Sequence, residues 1–262
     1  MSDSPIIKNH AAFIWSVADL LRGDYKQSEY GKVVLPLTVL RRLDCVLEPT
    51  KDKVLEKAKS LNGKIENQEP VLCAVAKEQF FNTSKLDVKK LLDDPTNLAA
   101  NLRSYISAFS SGARDVLEKF DFDTQIARMD KANILYMVIS KFAEIDLHPT
   151  VVSNLEMGYL YEELIRKFNE ENNEEAGEHF TPREVIDLMT HIIFEPIKDN
   201  LPPVMTIYDP ACGSGGMLTE SQNFVKDEEG KIRANGDVYL YGKEINDETY
   251  AICKSDMMIK GN

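Results

Sequence analysis

Lysine and arginine are in short supply. The 262 residues carry 31 of them against 43 aspartates and glutamates, a net charge of −12. The deficit is local, because residues 1–150 hold 21 basic and 21 acidic side chains while residues 151–262 hold 10 and 22. Such a balance disfavours a protein that grips a nucleic acid mainly with its own cations, since that binding works by phosphate neutralisation and counterion release. DNA reached through a basic partner is not excluded. Cysteine is scarce too. Cys45, Cys73, Cys212 and Cys253 lie far apart, with no C-x-x-C pair and no histidine cluster at ligand spacing, so neither a disulfide framework nor a zinc site is indicated. Long apolar runs are missing. Stretches such as residues 33–39 fall far short of the roughly 20 residues of a membrane span, and the N-terminus MSDSPIIKNH lacks a basic region followed by an apolar core. The expected location is the cytoplasm, without a membrane partner.

A hydrophobic content of 43% beside 28% charged residues is that of a folded globular chain, and the length fits one large domain or two ordinary ones. The first part reads as helical. Apolar residues recur at helical spacing over residues 10–21, with Gly23 as a stop. Residues 33–47 continue the pattern with Pro36 inside it. A helix-interior proline costs about 3 kcal/mol, so either a kink near Val33 or a helix beginning at Pro36 is expected. Further helices are predicted over residues 51–61, 95–109, 112–120, 131–142 and 154–168. No strand-like alternation of any length precedes residue 200, and no fixed-period repeat is visible.

Residues 169–178, NEENNEEAGE, hold five glutamates and no base, and read as a solvated loop or linker. The boundary between helical and α/β parts is expected near it. The next segment, GEHFTPREVIDLMTHII, has the marks of a helix N-terminus: Thr181 as N-cap, Pro182 at the first helical position, Glu184 completing a capping box, and Phe180 with Val185 as a hydrophobic staple. Those roles alone account for the segment without a ligand.

Residues 203–208, PVMTIY, read as a short buried strand. It ends in a carboxylate, Asp209, and turns through Gly213, Ser214, Gly215 and Gly216 into a helix beginning near Met217. Glycines let a backbone turn tightly and approach a ligand closely, and a helix N-terminus offers unpaired N–H groups. Ligands of open parallel sheets sit outside the carboxyl ends of the strands, where this loop lies. After a polar stretch comes a second strand, DVYLYGKE, ending in Glu244, and then a helix over residues 246–260 that packs Tyr250, Ala251, Cys253, Met257 and Met258 on the sheet. An acidic group at that strand end is placed to accept hydrogen bonds from the two ribose hydroxyls of an adenosine-containing cofactor.

Three nucleotide readings compete. A dinucleotide fingerprint needs a third glycine where Leu218 stands, and leaves Asp209 and Cys212 unexplained; a P-loop needs a lysine after the glycines, and none follows. The remaining reading is S-adenosylmethionine, with Asp209 near the ammonium of its methionine part, the Gly213 to Gly216 backbone against that part, and Glu244 on the ribose.

The motif D-P-A-C-G-S-G-G after a strand, preceded by H-F-T-P and followed by an acidic strand end, resembles the amino-methyltransferases that modify adenine in DNA, and most of all the modification subunit of type I restriction-modification systems. IWSVADLLRGDYKQSEYGKVVLPLTVLRRLD is similar to the helical N-terminal domain of that subunit, and the likeness runs from about residue 8 to residue 262. It implies an α-helical N-terminal domain over 1–168, a linker over 169–178, and over 179–262 the start of an α/β Rossmann-like S-adenosylmethionine-dependent methyltransferase domain with an incomplete parallel sheet. It also implies a cofactor site lined by Glu178, His179, Phe180, Thr181, Pro182, Arg183, Asp209, Ala211, Gly213, Ser214, Gly215, Gly216 and Glu244. A cap that fixes the backbone of Phe180 to Pro182 also builds a cofactor wall, so both roles hold at once.

In this family catalysis relies on an Asn/Asp-Pro-Pro-Phe/Tyr segment that holds a flipped adenine by its exocyclic amino group. No N-P-P occurs here; the only Pro-Pro is Pro202-Pro203, between Leu201 and Val204. The expectation is a truncated form or fragment of a longer subunit, without methyl transfer by itself. The implied partners are a specificity subunit, a second modification subunit, a restriction subunit in the full complex, and DNA through that complex. Two rivals stay open: a non-catalytic helical assembly module and, ranked last, an NAD-dependent dehydrogenase.

Overall fold

The computed structural model describes residues 5–62, 64–171, 181–225 and 237–260. The chain is mostly helical with a small parallel sheet, and divides into two compact units, Met1–Asn172 with Met258–Asn262, and Asn173–Met257. Of the acidic run over 169–178 read as a loop, residues 169–171 instead continue the helix Asn154–Glu171, and residues 172–178, with His179 and Phe180, lie outside the described residues, as do residues 226–236. No described helix is long and apolar enough to cross a membrane.

The first unit holds α1 (Pro5–Ala18), α2 (Gly31–Leu47), α3 (Lys51–Leu61), α4 (Glu69–Ala76), α5 (Leu98–Ser107), α6 (Ser111–Lys119), α7 (Phe122–Lys131), α8 (Leu135–Glu144) and α9 (Asn154–Glu171). Its axis is α2, which packs against α1, α7, α8 and α9 and is buried throughout residues 33–45. This helix begins at Gly31 and runs through Pro36, so a start at Pro36 is excluded. The proline forfeits one bond, to the carbonyl of the exposed first-turn residue Lys32. Burial of Val33, Val34, Leu35 and Leu37, at roughly 1.5–3 kcal/mol each, outweighs that loss.

The expected helix over 131–142 is corrected. Helix α7 ends at Lys131 and α8 starts at Leu135. Asn133 takes a left-handed φ of 58°, and Ile134 N–H reaches back to the Met129 carbonyl at 3.0 Å, a left-handed C-terminal cap that asparagine tolerates. Helices α4 and α7 are absent from the sequence reading. Residues 95–109 open as a short 3-10 turn, Pro95–Asn97, before α5.

Two adjacent arginines on α2 gather the chain that leads into α9. Arg41 pairs with Asp44 at 2.7 Å and donates from Nε to the Ile145 carbonyl at 2.9 Å. Asp44 also accepts Tyr105 Oη–H at 2.6 Å. Arg42, fully buried, donates to the carbonyls of Leu147 and Val152 and to Asn154 Oδ1, the last two at 2.8 and 2.7 Å. Nearer the surface, the Arg128 guanidinium forks onto Glu29 at 3.0 and 3.1 Å and lies 3.8 Å from the Tyr25 ring. That fork and the Lys26 N–H hold the Glu29 carboxyl down to about 2.

The second unit holds α10 (Arg183–Phe194), β1 (Val204–Asp209), α11 (Gly216–Val225), β2 (Asp237–Gly242) and most of α12 (Asp247–Lys260). The strands pair in parallel, from Val204 opposite Asp237 to Asp209 opposite Gly242. One face carries Met205 and Val238 against Phe194, Phe224 and Val225. Along the same face Ile207 and Leu240 pack against Cys212, Leu218 and Cys253, as does Met257. On the opposite face Val204, Tyr208, Tyr239 and Tyr241 are exposed.

Replacing Arg42 by methionine keeps the length but strands the buried carbonyls of Leu147 and Val152 and removes the partner of Asn154 Oδ1, and is expected to lower the unfolding free energy by about 3 kcal/mol or more. Urea unfolding checks this, and a loss below about 1 kcal/mol contradicts the role. Glu29 titrates lower in the folded chain than its usual 4.5. Its contribution to stability is therefore present above pH 4.5 and fades as pH falls toward 2. Thermal melts of the parent and Glu29→Gln are expected to differ at pH 7 and to converge near the lower limit.

Candidate cofactor site at the strand ends

A parallel pair of strands puts both carboxyl ends on one edge of the sheet, and the chain must cross over through a helix to achieve it. Here that helix is α11, and the turn feeding it starts where β1 stops. The ladder continues past the strands: Lys243 N–H donates to the Asp209 carbonyl, and Cys212 N–H to the Lys243 carbonyl, both at 3.0 Å. The turn is thereby laid across the end of β2.

Within the turn, Asp209 Oδ1 accepts Ala211 N–H at 3.0 Å, and Gly215 N–H donates to the Cys212 carbonyl at 2.8 Å. Two glycines are required by conformation, Gly213 with φ 54° and Gly215 with φ 88°. Crowding adds a second reason at Gly215, where a Cβ would stand 2.7 Å from Cys253 Sγ. At Gly216 a Cβ would stand 2.7 Å from Ile186 Cδ1. Gly213 differs, since a Cβ there would meet nothing within 4 Å, so its backbone borders open space.

Glu244 closes the arrangement. Its Oε2 accepts Gly213 N–H at 3.1 Å, and its Oε1 accepts Ile245 and Asn246 N–H at 2.7 and 2.8 Å. One carboxylate thus ties the glycine turn to the approach of α12. A carboxylate has about four acceptor positions, so part of its capacity is left. Asn246 in turn caps α12, accepting Thr249 N–H at 2.9 Å.

The start of α10 comes to the same turn through the contact of Ile186 with Gly216. Thr181 and Pro182 are exposed there and Arg183 is the first helical residue. The capping expectation is corrected. Pro182 occupies the N-cap position without a side-chain cap bond, and its carbonyl receives the N–H groups of Val185 and Ile186 at 3.0 and 3.1 Å. The capping box from Thr181 to Glu184 therefore does not form. The Phe180 to Val185 staple falls on a residue outside those described.

The structure thus brings Asp209, Ala211, Gly213, Ser214, Gly215, Gly216 and Glu244 together, with Thr181 to Arg183 one helical turn from Ile186. Sequence reading missed two supports, the Lys243 carbonyl and the Cys212–Cys253 contact at 3.9 Å. The strand-end position of Lys243 was a usable signal. The cysteine contact had none, since only the crossover joins those positions. Burial raises both thiols above the ordinary range. Among the described residues, no three His, Cys, Asp or Glu side chains gather as metal ligands do.

Residues 10–142, just over half of the chain, match the HsdM N-terminal domain, and residues 153–262 match the N-6 DNA Methylase family. The chain is similar to the type I restriction enzyme MjaIX methylase subunit of Methanocaldococcus jannaschii, with 23% identity over 95% of this chain and 45% of the relative. It is also similar to the EcoEI methylase subunit of Escherichia coli, with 28% identity over 63% of this chain and 32% of the relative. Among solved structures, a type I restriction-modification methyltransferase subunit from Streptococcus thermophilus superposes with a TM-score of 0.70 at 20% identity, over 97% of this chain and 56% of that one. A modification subunit of a putative type I restriction enzyme from Vibrio vulnificus gives 0.53 at 19% identity, over 99% and 55%. The chain spans about half or less of the length of these proteins. With both family matches in chain order, the protein belongs to the methyltransferase subunits of type I restriction-modification systems.

Proposed function

We propose that this chain carries the S-adenosylmethionine half-site of an adenine-specific DNA methyltransferase, built on the first part of a Rossmann-like domain over residues 179–262 behind a helical domain over 1–168. The observation that carries the reading is the meeting of two strand-end carboxylates, Asp209 and Glu244, around one glycine turn with open space at Gly213. The residues fit the group by charge and by shape. S-adenosylmethionine is cationic at its ammonium and its sulfonium, and two carboxylates favour it over a dinucleotide, whose phosphates they would repel. Asp209 has one oxygen on Ala211 N–H and presents the other to an ammonium. The Gly213 to Gly216 backbone and the first turn of α11 supply N–H groups to a carboxylate. Glu244 accepts a ribose hydroxyl with its remaining capacity or in exchange for Gly213 N–H. Thr181 and Pro182, with the backbone of Arg183, wall the methionine side; Glu178, His179 and Phe180, which the family resemblance assigns to the same wall, lie outside the described residues.

When bound, the cofactor supplies an activated methyl group. The chain's own residues hold and orient it, and no Asn-Pro-Pro-Phe segment is present in the 262 residues to hold an adenine. This chain by itself therefore transfers no methyl group. In the proposed assembly a specificity subunit chooses the DNA site, a second modification subunit and a restriction subunit complete the complex, and DNA is met through those partners in the cytoplasm. One observation favours the non-catalytic assembly module instead: Val185, Leu188, Met189 and Ile192 form an exposed apolar stripe on α10.

Calorimetric titration with S-adenosylmethionine separates the two readings. Binding with a roughly micromolar Kd is expected, and Asp209→Ala is expected to weaken it by about 10- to 100-fold, the value of a charged hydrogen bond. No heat from the parent chain overturns the half-site. Incubation with unmethylated DNA and methyl-labelled cofactor is expected to leave the DNA unlabelled, and turnover by this chain would overturn its proposed incompetence.

A further inference from the structure

Cys212 and Cys253, 41 residues apart in the second unit, meet beneath the glycine turn, their sulfurs 3.9 Å apart and both buried. Cys212 is part of the turn, since its N–H is held by Lys243 and its carbonyl by Gly215 N–H. Cys253 is part of α12, fixed by the buried neighbours Ala251, Ile252 and Ser255. Its sulfur fills the space that a Cβ on Gly215 would occupy. The proposed cofactor turn therefore rests directly on a dithiol.

We propose that Cys212 and Cys253 form a thiol-disulfide switch: a disulfide-class oxidant such as oxidised glutathione joins them, and the bond reshapes the glycine turn and weakens cofactor binding. The effect on binding rests on the S-adenosylmethionine reading above; the pairing itself does not. A disulfide needs its sulfurs about 2.05 Å apart, so they must close by nearly half of their present separation. The turn is the freer partner. It is held by a few backbone bonds, whereas Cys253 is embedded in a capped helix. Drawing Cys212 toward α12 strains its bonds to Lys243 and Gly215, and with them the backbone of Gly213 to Gly216.

The exchange balances without a further reactant. Across the 3.9 Å contact either sulfur can donate to the other, and Cys212, on the less embedded turn, acts as the first nucleophile. Its thiolate attacks one sulfur of the oxidant RSSR, forming a mixed disulfide and releasing RS⁻, which takes up the Cys212 proton. Cys253 then attacks the Cys212 sulfur and displaces the second RS⁻, which takes up the Cys253 proton. Two protein thiols are oxidised and one RSSR is reduced to two RSH. Burial keeps both thiols protonated at neutral pH and makes the exchange slow.

The test equilibrates the full chain with defined ratios of reduced and oxidised glutathione, blocks free thiols, and maps peptides without reduction. The expected result is a Cys212–Cys253 cross-link, with the four free thiols reduced to Cys45 and Cys73. S-adenosylmethionine affinity should fall about tenfold, the worth of one or two backbone hydrogen bonds, and return on adding dithiothreitol. Cys253→Ser should bind equally under both conditions. Absence of the cross-link at equilibrium overturns the proposal, as does a cross-link that leaves affinity unchanged, or an equal loss in Cys253→Ser. If the reduced chain binds no cofactor, the half-site reading fails separately. Amide exchange of residues 209–216 then decides whether the cross-link reshapes the turn, and unchanged exchange overturns it.

Discussion

Parallel pairing of β1 with β2 is the constraint on which the site depends. Two parallel strands cannot be joined by a tight turn, so the chain must leave β1, cross through α11 and return to start β2 beside Val204. That path puts the carboxyl ends of both strands side by side, with Asp209 opposite Gly242. Glu244, two residues past Gly242, is then beside the turn that leaves Asp209, and it binds the Gly213 amide. Positive-φ backbone at Gly213 and Gly215 and the crowding at Gly215 and Gly216 follow from the same geometry. The turn must pass over the strand ends while lying close to α10 and α12.

Much of this was legible from residue order because each signal is local. A strand ending in aspartate, glycines where the chain reverses, and an acid at the next strand end are adjacent features, and the parallel register brings them together. What stayed hidden depends on distant contacts. The cap at Thr181 looked sound by type and spacing, yet the helix takes Pro182 as its boundary. Pro36 looked like a stop, yet burial of α2 carries the helix through it. Asn133 looked like helix interior, and its left-handed turn is paired with Met129. The Arg42 cluster has no sequence mark, because carbonyls rather than acidic side chains receive it.

The charge division gains a physical meaning from the two units. The helical unit is close to neutral and solves its buried charges internally, with Arg41 on Asp44 and Arg42 on main-chain oxygens. The acidic excess lies in the part that holds the strand ends, where negative potential suits a cationic cofactor and opposes phosphate. In the proposed assembly a polyanionic DNA is accordingly left to partner subunits and the carboxylates serve the methyl donor.

The most direct test of a cofactor seat at the strand ends is hydrogen exchange of the whole chain with and without S-adenosylmethionine. Protection is expected over residues 209–218 and 243–247, with none over 51–131. Unchanged exchange at the strand ends under saturating cofactor, or protection confined to the helical unit, would contradict the account.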